Sequence, residues 1–182
     1  MSNINLVDFP ESNLHLILKW RLDNRINQFL RHGLQTLNDI QKWYSDYFSG
    51  EMNKLYSINY NNTPIGYFTI EHIDKLNKNC EFGIVIGEGS LHQKGIGLSV
   101  VAMMLDVVFN QMAMHRVYAI IQNGNVASVN CFSKAGFLLE GRMRDSRLIN
   151  NEYRDILLYS ILENEWLKIP KPINMKTNIH IG

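Results

Sequence analysis

Apolar residues recur at every second position over 55–60 and 65–72, the period of a half-buried strand. Asn61-Asn62-Thr63-Pro64 lies between these runs and reads as a hairpin turn, with Pro64 at the turn or strand start because proline cannot donate to a ladder. A polar turn follows at 74–79, and a central strand runs over 81–87 from just after Cys80. The middle of the chain is therefore expected to be an antiparallel meander. Ahead of it lie a short strand at 4–7 and a helical run at 12–21, with apolar residues at 14, 17 and 18 and Trp20 near its end. Residues 22–32 are mixed and read as a loop or broken helix. Thr36 and Asp39 have capping-box form, and behind them Leu37, Ile40, Trp43, Tyr44, Tyr47 and Phe48 share one helical stripe that ends at Gly50.

After the meander, 98–112 is apolar almost all round, the mark of a helix buried on most faces, and 116–121 is apolar on both faces. Strand, buried helix and strand in that order imply parallel pairing with a right-handed crossover. Asn123-Gly124-Asn125 is a turn into a helix that runs to about Lys134 and stops at Gly136. A short strand at 137–140 follows, then 142–149 and 152–162 pair across Asn150-Asn151. The expected class is α/β (α+β): a mixed, mostly antiparallel sheet of about six or seven strands, flanked by helices, with one central parallel pair.

Composition narrows the field. A chain of 182 residues is expected to form one domain, here 1–168, with a tail at 169–182 that packs loosely or reaches a neighbouring subunit. The net charge of +1 offers no long-range attraction to nucleic acid or an anionic membrane. No window approaches the ~20 apolar residues of a membrane span, and MSNINLVDFPES lacks the layout of a signal peptide. Cys80 and Cys131 show neither metal-ligand nor redox spacing and read as reduced thiols of a cytoplasmic protein. The six histidines do not cluster, so no metal is expected. The expected partner is a small molecule bound by a monomer or homodimer.

The candidate chemistry starts in the loop His92-Gln93-Lys94-Gly95-Ile96-Gly97, which joins the central strand to the helix expected from Leu98. The first amides of a helix have no intrahelical partner, and the helix dipole adds partial positive charge there. Glycines remove the Cβ atoms that would keep a phosphate off those amides. The loop thus reads as a pyrophosphate cradle, with a tight strand–helix turn as the plainer alternative. Its spacing is neither that of the NTP-binding P-loop nor the three-glycine dinucleotide pattern.

The spacing resembles motif A of the GNAT N-acetyltransferases, Gln/Arg-x-x-Gly-x-Gly/Ala between a strand and a helix. Gly95 and Gly97 fill the small positions; His92 stands where Gln or Arg is usual, with Gln93 one place late. A second block, Asn125 to Phe137 (NVASVNCFSKAGF), resembles the family's Asn-x-x-Ala/Ser-x-x-x-Tyr-x-x-x-Gly-Phe helix. The likeness extends more loosely over most of 1–168, and 141–162 resembles the C-terminal hairpin of the branch that acetylates ribosomal proteins, polyamines and sugar nucleotides. The resemblance implies acetyl-CoA as co-substrate and two central strands that splay apart to admit its pantetheine arm. It assigns Ile84, Val85, Ile86, His92, Gln93, Lys94, Gly95, Ile96, Gly97, Leu98, Asn125, Ser128, Phe132 and Lys134 to cofactor binding. Asn125 also has an ordinary role as a helix N-cap.

An amine reaches neutral pH as an ammonium, so a base must remove a proton before or during attack. A partly buried carboxylate can serve. Glu81 opens the central strand, where several relatives carry Glu, and shares a face with Gly83 and Val85; the alternative is a solvent-facing strand charge. Many members have Tyr at the position of Phe132 to protonate the leaving thiolate, which Phe cannot do. A thiol pKa near ~8.5 makes the thiolate a tolerable leaving group, so water or another hydroxyl could suffice. Tyr118 and Tyr153 are candidates without positional support and read as packing residues.

For the acceptor, the stretch containing Trp20, Arg21, Phe29 and Trp43 resembles the sugar-nucleotide branch that serves pseudaminic acid biosynthesis, with Arg for the phosphates and an aromatic for the base. The expected function is N-acetylation of a nucleotide-linked amino sugar by direct transfer. The alternatives are a ribosomal-protein or polyamine acetyltransferase, or an acyl-CoA-binding protein without catalysis. Arg25, Arg31 and His32 make the 22–36 region basic, which counts against a polyamine.

Overall fold

The computed structural model describes residues 4–30, 35–149 and 151–170. Seven strands form one sheet in the order β1-β2-β3-β4-β5-β7-β6. They are β1 (Ile4–Asp8), β2 (Lys54–Tyr60), β3 (Thr63–Asp74), β4 (Asn79–Ile86), β5 (Arg116–Gln122), β6 (Leu138–Ile149) and β7 (Glu152–Leu162). All neighbours run antiparallel except β4 and β5, the expected parallel pair. The helices are α1 (Leu14–Arg21), α2 (Asn24–Asn27), α3 (Leu37–Phe48), α4 (Ile96–Asn110), α5 (Val126–Lys134) and α6 (Glu163–Trp166). No helix among the described residues is long and apolar enough to cross a membrane.

The β2–β3 turn is tighter than expected. Asn61 and Asn62 both have positive φ, 50° and 64°, as a two-residue hairpin turn requires, and Thr63 already pairs with Tyr60. Pro64 faces Asn59 beside an irregularity in register, where a missing donor is tolerated. Residues 11–13 form a separate 3-10 turn, so α1 starts only at Leu14. In the mixed stretch, Asp23 accepts a hydrogen bond from the Arg25 amide and caps the short α2; residues 31–34 lie outside the described residues. The capping box of α3 forms, with Asp39 N donating to Thr36 Oγ1 (3.2 Å) and Thr36 N to Asp39 Oδ2 (2.8 Å).

Two boundaries move. Helix α4 begins at Ile96 rather than Leu98, because Gly95 adopts a left-handed φ of 78° as its N-cap. Residues 138–149 form one strand rather than two, since Gly141 and Asp145 (φ 49°) sit at register shifts that bend the strand without ending it. Ile149 pairs with Glu152 across the expected turn, whose Asn150 lies outside the described residues. Trp166 packs on Phe109 at 5.2 Å, holding α6 to the core; the tail expectation falls mostly on 171–182, outside the described residues.

The two faces of the sheet carry different cores. Phe68, Ile70, Phe82, Val117 and Ile121 pack with α4, Phe132 and Phe137. Leu55, Tyr67 and Val85 pack on the other face with Leu14, Ile17 and Trp20 of α1, Ile26 of α2 and Ile40 of α3. The alternation of strand side chains sends Glu81 to the second face and its neighbour Phe82 to the first.

Candidate active site

The register between β4 and β5 consists of Asn79↔Arg116, Cys80↔Val117 and Glu81↔Tyr118, and ends there. Strand β4 continues to Ile86 and β5 to Gln122, so the two part over the rest of their lengths. The crossover α4 starts just beyond the end of β4, at one side of this wedge.

Two contacts hold the loop before α4. His92 Nε2 donates to the carbonyl of Ile86 at 2.8 Å, which fixes the imidazole as a tie to the strand end. Gln93 (φ 61°) and Gly95 (φ 78°) then turn the chain through left-handed conformations. The first helical hydrogen bond to Gly95 O comes from Ser99 N (3.0 Å), which leaves the Ile96, Gly97 and Leu98 amides at the open first turn. A Cβ at Gly97 would meet Cys131 Sγ at 3.4 Å and Ile84 Cδ1 at 3.9 Å, ordinary contacts. Internal packing therefore does not demand glycine at this position, and its lack of a side chain leaves the neighbouring amides uncovered. The Ile96 side chain is buried and anchors the turn, which leaves its amide at the open first turn.

Asn125 Oδ1 accepts from Ser128 N at 3.2 Å, the N-cap of α5. Ile84 and Ile86 are half-buried against the α4-side core and Val85 is buried on the other side. Phe132 is a core residue, edge-on to Phe137 at 5.0 Å and 79°, and Lys134 is exposed at the opposite end of α5 from Asn125. Burial pushes the Cys131 thiol up to about 11 and the Cys80 thiol up to about 12. Neither is poised as a thiolate nucleophile.

Glu81 is not a surface charge: it is 7% exposed, at the last residue pair before the strands part. Its Oε2 lies 3.1 Å from Nδ1 of His72, whose ring is half-exposed. His72 Nε2 lies 3.3 Å from the Tyr47 hydroxyl of α3, and that hydroxyl donates to Glu71 Oε2 at 3.0 Å. Glu71 is the register partner of Glu81 on β3, and Tyr118 its partner on β5. Burial, and next the charge of Glu81, raise the Tyr118 phenol above its ordinary range. Tyr118 thus borders the site, while Tyr153 is 66% exposed and does not pack as expected.

His72 and Tyr47 do not stand out in the sequence. Tyr47 falls on a stripe that reads as core, and His72 closes an alternating strand. The only signal was the polar pair Glu71-His72 at the end of an otherwise apolar run.

The expected acceptor residues separate. Trp20 is 1% exposed, with its ring stacked on Tyr67 (6.3 Å, 26°) and its Nε1 donating to Glu88 at 3.1 Å. Gly87 lies so close that any side chain there would overlap the indole. A ring enclosed in this way offers no face to a base, so the stacking role is corrected to core packing. Arg21 is buried and hydrogen-bonds the Tyr67 hydroxyl, and Phe29 is half-buried. The adjacent α2 reaches the wedge through Gln122 Nε2, which donates to Gln28 O at 3.2 Å.

Comparison with known proteins agrees with this geometry. Residues 3–138 match the family model described as an acetyltransferase (GNAT) domain. A Bacillus subtilis (strain 168) protein provisionally named as a ribosomal N-acetyltransferase, YdaF, is 27% identical over 128 residues, which is 70% of this chain and 67% of that protein. The spermidine N(1)-acetyltransferase of Vibrio cholerae is 28% identical over 104 residues, 57% of this chain and 59% of that protein. The crystal structure of a Vibrio cholerae spermidine N-acetyltransferase in complex with CoA and spermine shares the fold, with a TM-score of 0.83 at 19% identity over 91% of this chain and 98% of that one. With the family model spanning well over half its length, the chain belongs to the GNAT acetyltransferases, enzymes whose co-substrate is acetyl-CoA.

Proposed function

We propose that the enzyme acetylates a primary amine carried on a cationic, polyamine-like acceptor, by direct transfer with Glu81 as general base. The observation that carries this reading is the buried Glu81 carboxylate at the point where β4 and β5 part. The Gly95–Leu98 amides would hold the phosphates of the co-substrate, and the unpaired run of β4 would face its arm. Glu81 takes the ammonium proton, the freed nitrogen bonds to the thioester carbonyl carbon, the C–S bond breaks, and the nitrogen releases its second proton, which replaces the one taken up by the departing sulfur. Phe132 has no proton to give the departing sulfur. Tyr118, which retains its proton at neutral pH, or water supplies it.

The acceptor class follows from charge. Glu71 and Glu81 stand on the α1/α3 face beside the wedge. Of the basic residues that counted against a polyamine, Arg25 pairs with Asp23 (2.5 Å), and Arg31 and His32 lie outside the described residues; Lys19 of α1 pairs with Glu88 (2.7 Å). The nucleotide-sugar reading rested on Trp20 and Arg21, and the burial of both removes that support.

Thiol release from acetyl-CoA tests the reading against spermidine, a ribosomal N-terminal peptide, a free amino sugar and its nucleotide-linked form. Spermidine is expected to exceed the nucleotide sugar in kcat/KM at least ~10-fold, about 1.4 kcal/mol. A preference for the nucleotide sugar would restore the sugar-nucleotide reading. Silence on every amine with intact acetyl-CoA binding would make the protein a non-catalytic acyl-CoA binder.

A further inference from the structure

The contacts around Glu81 form a chain, Glu71–Tyr47–His72–Glu81, with three close polar contacts of 3.0, 3.3 and 3.1 Å. Each contact needs one proton between its heavy atoms. Two ionised carboxylates, a neutral phenol and a neutral imidazole together supply only two protons. The His72–Glu81 contact is therefore where a third proton, once taken up by Glu81, would be shared. The orientation is consistent with this count: the Tyr47 proton points to Glu71, so its oxygen accepts from His72 Nε2–H, and Nδ1 is left facing the Glu81 carboxylate.

Burial differs along the chain in a useful direction. The Glu81 side chain is 9% exposed and the His72 side chain 48%, so the imidazole links an enclosed carboxylate to solvent. Backbone geometry holds it there. His72 has a left-handed φ of 53° within an irregular stretch of β3, and its amide donates to Asn53 Oδ1 at 2.9 Å. A non-glycine residue in that conformation is strained, which is consistent with a side chain whose position matters.

We propose that His72 is the relay and positioning residue for Glu81, passing to solvent the proton that Glu81 takes from the acceptor. The inference rests on the acetyl-transfer reading above. As the acceptor N–H bond breaks, an O–H bond forms on Glu81; that O–H bond then breaks as an Nδ1–H bond forms on His72, and the Nε2–H bond breaks with its proton going to water. One proton enters and one leaves, so the network is unchanged in charge. The groups facing this pair are Glu71 on the same strand, Tyr47 from α3, and Tyr118 from β5. Arg116, beside Tyr118, is held by Glu140 at 2.5 Å.

Two measurements test it. In kinetics, His72→Gln keeps a polar contact but cannot exchange protons. It is expected to lower kcat ~10-fold, less than the 10²–10⁴ typical of losing the base itself, with both KM values within about twofold. Added imidazole is expected to restore part of the rate in His72→Ala. Wild-type kcat in His72→Gln, or a KM effect alone, would overturn the relay while leaving acetyl transfer standing. A wild-type enzyme that turns over no amine would remove the acetyl-transfer reading and the relay with it.

Discussion

Glu81 and Phe82 are neighbours in the chain and belong to different environments. Phe82 lies on the face covered by α4, edge-on to Phe68 at 4.8 Å and 78°, in a cluster of apolar side chains that includes Val117, Phe132 and Phe137. Glu81 lies on the face covered by α1 and α3, where His72, Tyr47, Glu71 and Tyr118 gather. One face is bound by packing and can tolerate no missing volume. The other encloses charge beside an opening, and its value is chemical. A strand period of two is enough to give adjacent residues these separate duties.

Substitutions can break this contrast at either residue. Glu81→Gln keeps the shape and removes the proton acceptor, so kcat is expected to fall ~10²–10⁴-fold with acetyl-CoA affinity unchanged. A wild-type rate at neutral pH would show that the acceptor loses its proton without Glu81. Phe82→Ala is expected to cost about 3–5 kcal/mol of unfolding free energy, read by urea titration. A cost under about 1 kcal/mol would mean that the α4 face repacks freely. If both expectations hold, chemistry and stability are separated between two consecutive positions.

Smaller effects sharpen the picture. Gly97→Val is expected to raise the acetyl-CoA Kd at least ~10-fold, about 1.4 kcal/mol, in a folded protein, because its methyls would crowd the open amides. Unchanged affinity by calorimetry would remove the cradle from this loop. The smallest effect belongs to Glu140, whose carboxyl is lowered from 4.5 to about 2, chiefly by its hydrogen bond from Arg116 and next by that from Ser160. A depressed carboxylate contributes stability that is present above its unfolded value and lost as pH falls from about 4.5 towards about 2. Both partners are partly solvated, so solvent screening holds the contribution of Glu140 to well under 1 kcal/mol. Glu140→Gln is expected to flatten that part of the pH–stability curve, lowering stability at pH 7 by well under 1 kcal/mol and leaving it unchanged near pH 2, as denaturant titrations at the two pH values would show.

The elements themselves were legible because each follows a local rule. The meander shows in its period, the parallel pair in the buried helix between two apolar strands, and the turn into α4 in the glycines before that helix. Glu81 was legible for the same reason, since alternation along one strand assigns its face. Its partners were not. His72 reaches it from the next strand after an irregularity in register, and Tyr47 comes from a helix 25 residues before His72, so neither spacing is periodic. Trp20 shows the reverse problem. An aromatic beside an arginine looks the same in sequence whether it stacks on a ligand or fills a core, and here Tyr67, Gly87 and Glu88 close around it.

The three residue pairs that join β4 to β5 also have a mechanical meaning. Among the described residues they are the only ladder between a half-sheet of four strands and one of three, so they act as a pivot with a lever on either side. From Glu81 to Ile86 the lever is five residues long, about 17 Å at the usual rise per residue. A rotation of about 5° at the pivot would shift its tip by about 1.5 Å, close to half a carbon–carbon contact distance. The width of the wedge is therefore set by the stiffness of two stacks of strands and by α4 packed on one face of them. A change in core packing far from any reacting atom can alter that aperture.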